Sequence, residues 1–297
     1  MKKIIETVPN FSEGRNQAKI KKILDCFSTV KGVTLLDHHK DKDHNRLVVT
    51  AAGEPARVKK AVLDAVGVAV RTIDLRKHTG EHPRMGAVDV IPFIPVREVS
   101  MEEAVALSVE VAEEIWRTFH LPVFLYEESA ANPERKSLPD IRRGEFEGMP
   151  RKLEDPLWKP DFGDAAIHPT AGVVAVGARR PLVAFNVNLD TNRLAVATAI
   201  ARAVRHQSGG LACCRAIAVN LKGRGIVQVS MNMTDYTRTP LYRALELVRI
   251  EAKRYGVNVI GSEIVGLVPA DALTQSAVYY MGLEDFTTDQ ILELKLD

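Results

Sequence analysis

Apolar positions along this chain switch between two spacings. Residues 2–8 form a short apolar-rich run that predicts a strand. Ile20, Ile23, Leu24 and Phe27 then recur at helical spacing and predict a helix over 16–28. Ser12 and Glu13 lie ahead of it with helix-start chemistry. Val33–Leu36 and Arg46–Ala52 are β-rich, and the polar run His38 to Asn45 predicts a hairpin loop between them. Residues 55–73 predict a helix with Pro55 in its first turn, where a missing N–H costs nothing. Residues 87–95 predict a strand whose prolines, Pro92 and Pro95, suit an edge or a strand end. The order over 2–95 is β-α-β-β-α-β, the ferredoxin-like order. A helix over 100–119 and a strand over 122–127 extend this half.

The second half repeats the theme. A strand over 182–188 precedes a helix over 192–207, with Asp190 or Thr191 as its cap. Strands over 215–221 and 225–232 are joined by the tight-turn sequence Lys222-Gly223-Arg224. A helix over 239–255, with Pro240 in its first turn, and a strand over Val257–Ile260 follow. The expected fold class is therefore α/β (α+β), with two ferredoxin-like βαββαβ subdomains, 1–179 and 180–297. Each sheet carries helices on one face, so the other face needs cover. Two sheets packed face to face with their helices outside meet that need and leave a cleft, where ligand sites concentrate. Residues 128–165, rich in Pro, Gly and charge, read as an irregular segment packing near the site.

Composition narrows the partners. Apolar residues make up 46% and charged residues 26% of the 297, the ordinary globular balance. Net charge is +2 with both signs interleaved, so no basic stripe points to nucleic acid. No apolar run is long enough to span a membrane. The run Lys2 to Glu6 is too short for a signal peptide. Cys26, Cys213 and Cys214 make neither a closed disulfide set nor a metal-ligand spacing, which suits a reducing cytoplasm.

Chemistry concentrates between Arg76 and Asp89. Two histidines (His78, His82), two carboxylates (Glu81, Asp89) and three cations (Arg76, Lys77, Arg84) fall in this stretch, with glycines at 80 and 86. Histidine titrates nearest neutral pH and suits proton transfer. A metal hydrolase using His78, His82 and Asp89 is the rival reading. Gly80 and Pro83 oppose the helix that a His-x3-His ligand pair needs. In the other histidine run, His38 to His44, lysines would repel a cation. Neither dinucleotide nor P-loop fingerprints occur, and residues 262–266 make no nucleophile elbow.

A family resemblance rests on ordered motifs along nearly the whole chain. They are Val8 to Arg15, Gly80 to Asp89 followed by Ile91 to Val96, Pro160 to Gly163, Val176 to Arg179, Ala184 to Leu189, Gln228 to Asn232 and Val265 to Pro269. In these the chain resembles the glutamate formimidoyltransferases. The resemblance implies a two-subdomain α/β fold, a homodimer, and transfer of a formimino group between 5-formimidoyl-tetrahydrofolate and L-glutamate in histidine breakdown. Tetrahydrofolate is then a co-substrate and no metal is called for. The family's catalytic histidine falls on His82. Its folate-binding stretch falls on Gly163, Asp164, Ala165, Ala166, Ile167, His168, Pro169, Thr170, Ala171 and Gly172. The animal proteins fuse this domain to a cyclodeaminase, and a chain ending at Asp297 is expected to lack it. The family often has an acidic residue near His39 and Pro where Asp164 stands, which bears on substrate choice and folate contacts.

Supporting roles follow from side-chain chemistry. Arg46 and Arg84 are candidate carboxylate clamps. Asp89 or Glu81 is a candidate to orient the imidazole, and Asn10 and Asn45 are further candidates. Two other readings share the folate site: a formyl- or formimino-transferase with a different acceptor, and a non-catalytic folate-binding protein.

Overall fold

The computed structural model describes residues 2–295, and the chain end at Asp297 lies outside them. The chain divides into two compact units, Met1–Arg179 and Arg180–Asp297.

The first unit begins with a broken strand. The predicted 2–8 strand is found as β1 (Ile4–Thr7), and a second short strand, β2 (Asn10–Phe11), follows it beyond Pro9. Helix α1 (Gln17–Ser28) buries Ile20, Ile23 and Phe27. Its cap is Asn16, whose side chain accepts from the Ala18 and Lys19 N–H groups. Ser12 is not part of that cap. Its hydroxyl donates to the Gly86 carbonyl at 2.7 Å and its N–H donates to Ala87.

The predicted hairpin loop is also shorter than the polar run. Strand β3 (Val33–Asp41) continues through His38 and His39, because its outer surface faces water and backbone pairing needs no apolar side chains there. The turn is compressed to 42–45, with Asp41 Oδ1 accepting from the Asp43 and His44 N–H groups. Strand β4 (Arg46–Gly53) alternates, burying Leu47, Val49 and Ala51.

Helix α2 (Pro55–Thr72) buries a stripe from Val58 to Ala69, and strand β5 (Val88–Arg97) follows. Pro92 does not mark an edge. It lies between β1 and β7 (Val174–Ala178), and the Thr7 hydroxyl donates to its carbonyl. Pro95 does lie beyond the end of the β7 pairing. Helix α3 (Met101–Phe119) opens with a reciprocal cap between Ser100 and Glu103. Strand β6 (Val123–Leu125) is shorter than predicted. The segment 128–165 is not wholly irregular, since it folds into α4 (Leu138–Arg142) and α5 (Glu145–Lys152).

The first sheet runs β3-β4-β1/β2-β5-β7-β6. Its first four positions are antiparallel in ferredoxin-like order, and β7 and β6 add parallel strands. The second unit has the bare motif: β8 (Val183–Leu189), α6 (Leu194–Val204), β9 (Cys214–Leu221), β10 (Ile226–Met233), α7 (Leu241–Lys253) and β11 (Val259–Val265). Its sheet order is β11-β8-β10-β9, the same ferredoxin-like arrangement. Asp190 does not cap α6. Its carboxylate instead accepts from the Asn258 backbone and side chain. Thr191 accepts from the N–H of Arg193, the residue at the cap position. A further helix, α8 (Ala270–Met281), closes this unit. Among the described residues, no helix is long and apolar enough to cross a membrane.

Candidate active site

The loop between α2 and β5 carries His82, and two neighbouring segments hold it. On one side is the β3–β4 turn. The Asn45 amide donates to the Thr79 carbonyl at 2.9 Å while its oxygen accepts from Gly14 N–H. Asp43 accepts from Glu81 N–H. Gly80 is pressed so closely here that a Cβ would lie 2.4 Å from the His44 carbonyl oxygen. On the other side is the strand entry at 171–173. Ala87 N–H donates to Ala171, and Val173 N–H donates to Met85. Gly86 and Gly172 face each other in this bridge.

The His82 side chain is nearly enclosed, at 8% exposure. Burial is the main cause that drives its pKa from the ordinary 6.5 down to about 3, followed by the charges of Arg46 and Arg142 and then His44 and His78. The ring is therefore neutral near pH 7.

Asp89 lies at 1% exposure. Its Oδ1 accepts from Met85 N–H at 2.9 Å and its Oδ2 from Arg142 at 2.5 Å. It thus fixes the loop and an arginine rather than the imidazole. Glu81 is exposed and joins the site through its backbone alone. Arg84 is not open to a ligand: Glu145 and Glu147 both pair with it, and it donates to His78 Nδ1. His78 Nε2 contacts the Asn45 carbonyl at 2.9 Å, so both ring nitrogens are engaged. Asn10 donates to the Val8 carbonyl within its own strand region. His39 is exposed on β3.

Arg46 is different. It is half-buried, and its Nε is shut from water with no partner among the described residues. Burial, and then Arg142, hold its pKa below the ordinary arginine value. Arg142 shares the property of a buried, unpartnered Nε. Sequence reasoning missed Arg142 because it lies among many charges in the segment read as irregular. No local signal separates it from Arg143, which pairs on the surface with Asp140.

The stretch 163–172 reaches this loop at one end. Ala171 and Gly172 are buried, and the Thr170 carbonyl accepts from Leu75 N–H at 2.8 Å. His168 closes a tight turn, its Nδ1 accepting from Thr170 and Ala171 N–H groups. Ile167 packs against the core. Asp164, Ala165 and Ala166 are exposed, as is Pro169, and Gly163 holds a positive φ of 117°. The groove between α1, α2 and α3, at Cys26, Gly67 and Phe119, shares no residue with this cluster.

Comparison with known proteins agrees along the chain. A family model described as "Formiminotransferase domain, N-terminal subdomain" matches residues 4–179, and "Formiminotransferase domain" matches 184–295. The glutamate formimidoyltransferase of Streptococcus pyogenes serotype M1 is 52% identical over 294 residues, which cover 99% of this chain and 98% of that protein. That of Thermoplasma acidophilum is 42% identical over 99% of this chain and 97% of its own length. The formimidoyltransferase-cyclodeaminase of Rattus norvegicus is 41% identical over 96% of this chain, which corresponds to 53% of the rat protein. The ordered motifs, the doubled ferredoxin-like fold and these matches together make this chain a member of the formiminotransferase family.

Proposed function

We propose that this chain transfers the formimino group between N5 of 5-formimidoyl-tetrahydrofolate and the amino group of L-glutamate, with His82 carrying the proton. One observation supports the role of His82 above the others: a neutral, nearly enclosed imidazole lies beside two arginines in a loop clasped by residues 170–173. Tetrahydrofolate is the co-substrate, and the 163–172 stretch is its binding segment. The two compact units are the N- and C-terminal subdomains of the transferase.

The reaction needs a proton to change nitrogen. The glutamate amine attacks the electrophilic formimino carbon, forming a new C–N bond. His82 takes the proton this amine must shed. The same imidazolium then gives it to N5 of the folate as the old C–N bond breaks. The products are formiminoglutamate and tetrahydrofolate, and the ring returns neutral. Such acid–base help is typically worth about 10²–10⁴-fold in rate. Holding both substrates together supplies up to roughly 7–11 kcal/mol more in ideal geometry.

A turnover assay with 5-formimidoyl-tetrahydrofolate and glutamate tests the reading, with other amino acids and a formyl donor as comparisons. Transfer to glutamate in preference to the rest is the expected result. Tight folate binding without turnover would instead favour the non-catalytic reading. The same reading makes the enzyme a cytoplasmic homodimer, supported by family resemblance and by unpaired Cys26, Cys213 and Cys214.

The low proton affinity of His82 is itself measurable. In an NMR titration of the unliganded protein, the His82 ring is expected to stay neutral as pH falls through 6.5 and to protonate only toward about 3. A midpoint near 6.5 would show an ordinary, solvated histidine and remove the enclosed-base mechanism.

A further inference from the structure

His82 shares its enclosure with two guanidiniums and one carboxylate. Arg142, at the end of α4, is tied to buried Asp89. Arg46 opens β4. The Nε atoms of both arginines are cut off from water and donate to nothing among the described residues. Buried charged donors without acceptors are costly, and such groups call for an explanation.

The nearby acids do not supply one. Asp41 caps its own turn and pairs with His44. Glu145 and Glu147 pair with Arg84. Glu13 accepts from the Arg15 and Asn16 N–H groups and pairs with Lys19. Glu81 is exposed. Two cations against one buried carboxylate leave positive charge in excess beside the imidazole. A guanidinium's planar fork fits a carboxylate.

We propose that Arg46 and Arg142 together seat a carboxylate of the amino-acid substrate, with Asp89 as the anchor that positions Arg142. This rests on the acceptor being an amino acid, as in the reading above, and names the residues that would recognise it. It also couples binding to proton transfer. The charged and titratable groups acting on His82 are Arg46 from β4, Arg142 from α4, His44 from the β3–β4 turn and His78 from its own loop, and Asp89 from β5 faces the two arginines. An arriving carboxylate neutralises the excess charge, so the ring gains proton affinity only when the acceptor is in place. The empty site holds a weak base and the loaded site a stronger one.

Steady-state kinetics with 5-formimidoyl-tetrahydrofolate and glutamate on the full chain test this. Arg142→Gln is expected to raise KM for glutamate by about tenfold or more while KM for the folate donor stays within about twofold, and Arg142→Lys to recover part of the loss. By NMR, saturating glutarate should move the His82 titration of the parent protein to higher pH. The unliganded Arg142→Gln ring should start higher because a cation acting on it is gone, and glutarate should move it less than it moves the parent ring. An unchanged glutamate KM in both Arg142→Gln and Arg46→Lys overturns the proposal, and so does a rise confined to the folate donor's KM. If Arg142→Gln fails to fold, Arg142→Lys and the glutarate titration decide, and a His82 ring unmoved by glutarate overturns it. Failure of the reaction itself is seen separately, as a parent protein that transfers to no amino acid, because the titration needs no turnover.

Discussion

His82→Ala is expected to lower kcat by about 10²–10⁴-fold while leaving folate binding intact. The ring is a neutral, enclosed group able to take up and release a proton. Removing it takes away the proton carrier without disturbing the backbone clasp, which is made by Asn45, Ala171 and Val173 with residues 79–87. His82→Gln fills the space more fully and cannot relay the proton, so it should be equally slow. Folate binding by calorimetry and turnover by absorbance separate the two effects, and wild-type turnover in both variants would eliminate His82 as the carrier. The same variants carry a stability signature. The folded-state pKa of His82 lies below its ordinary value, so the unfolded chain binds its proton first as pH falls. The stability present above pH 6.5 is therefore lost progressively as pH falls toward about 3. His82→Gln should unfold with a shallower acid dependence through that window, read by denaturant titration at successive pH values.

How much of this was legible in advance depended on the reach of each signal. Period and propensity are local, and they located α1, α2, α3, α6 and α7 with small errors at the ends. They also gave both β-α-β-β-α-β orders. They failed where pairing partners decide. Strand β7 is a five-residue apolar run whose identity depends on lying between β5 and β6. The prolines of β5 read as an edge signal, although Pro92 lies inside the sheet with its carbonyl held by Thr7. The loop that carries His82 was legible as a dense motif. Arg142 was not, because its significance comes from a bond to Asp89 across 53 positions of chain. Arg84 and Glu81 illustrate the opposite error. Both belong to the dense motif, yet one is paired by α5 and the other points to solvent.

Gly172→Ala is expected to destabilise the first unit by roughly 3 kcal/mol or more, through backbone strain and overpacking together. Gly172 has φ +70°, and an added Cβ would lie 2.1 Å from the Met85 carbonyl oxygen, a backbone atom that cannot move aside alone. Relief requires separating the Gly86–Gly172 bridge, and the bonds from Ala87 to Ala171 and from Val173 to Met85 separate with it. A loss of that size is a large share of the roughly 5–15 kcal/mol that holds a typical domain. Because the same clasp fixes the loop carrying His82, kcat should fall even at temperatures where the variant remains folded. Gly148→Ala is the matched control. It lies in α5 without a positive φ, and an added Cβ there meets nothing within 4 Å. Alanine's better helix propensity should leave stability unchanged or raise it by up to about 1 kcal/mol. Denaturant unfolding of both variants measures the contrast. Equal stability of the two would mean that the strand entry at 171–173 yields easily, and that the loop bearing His82 owes its position to the β3–β4 turn alone.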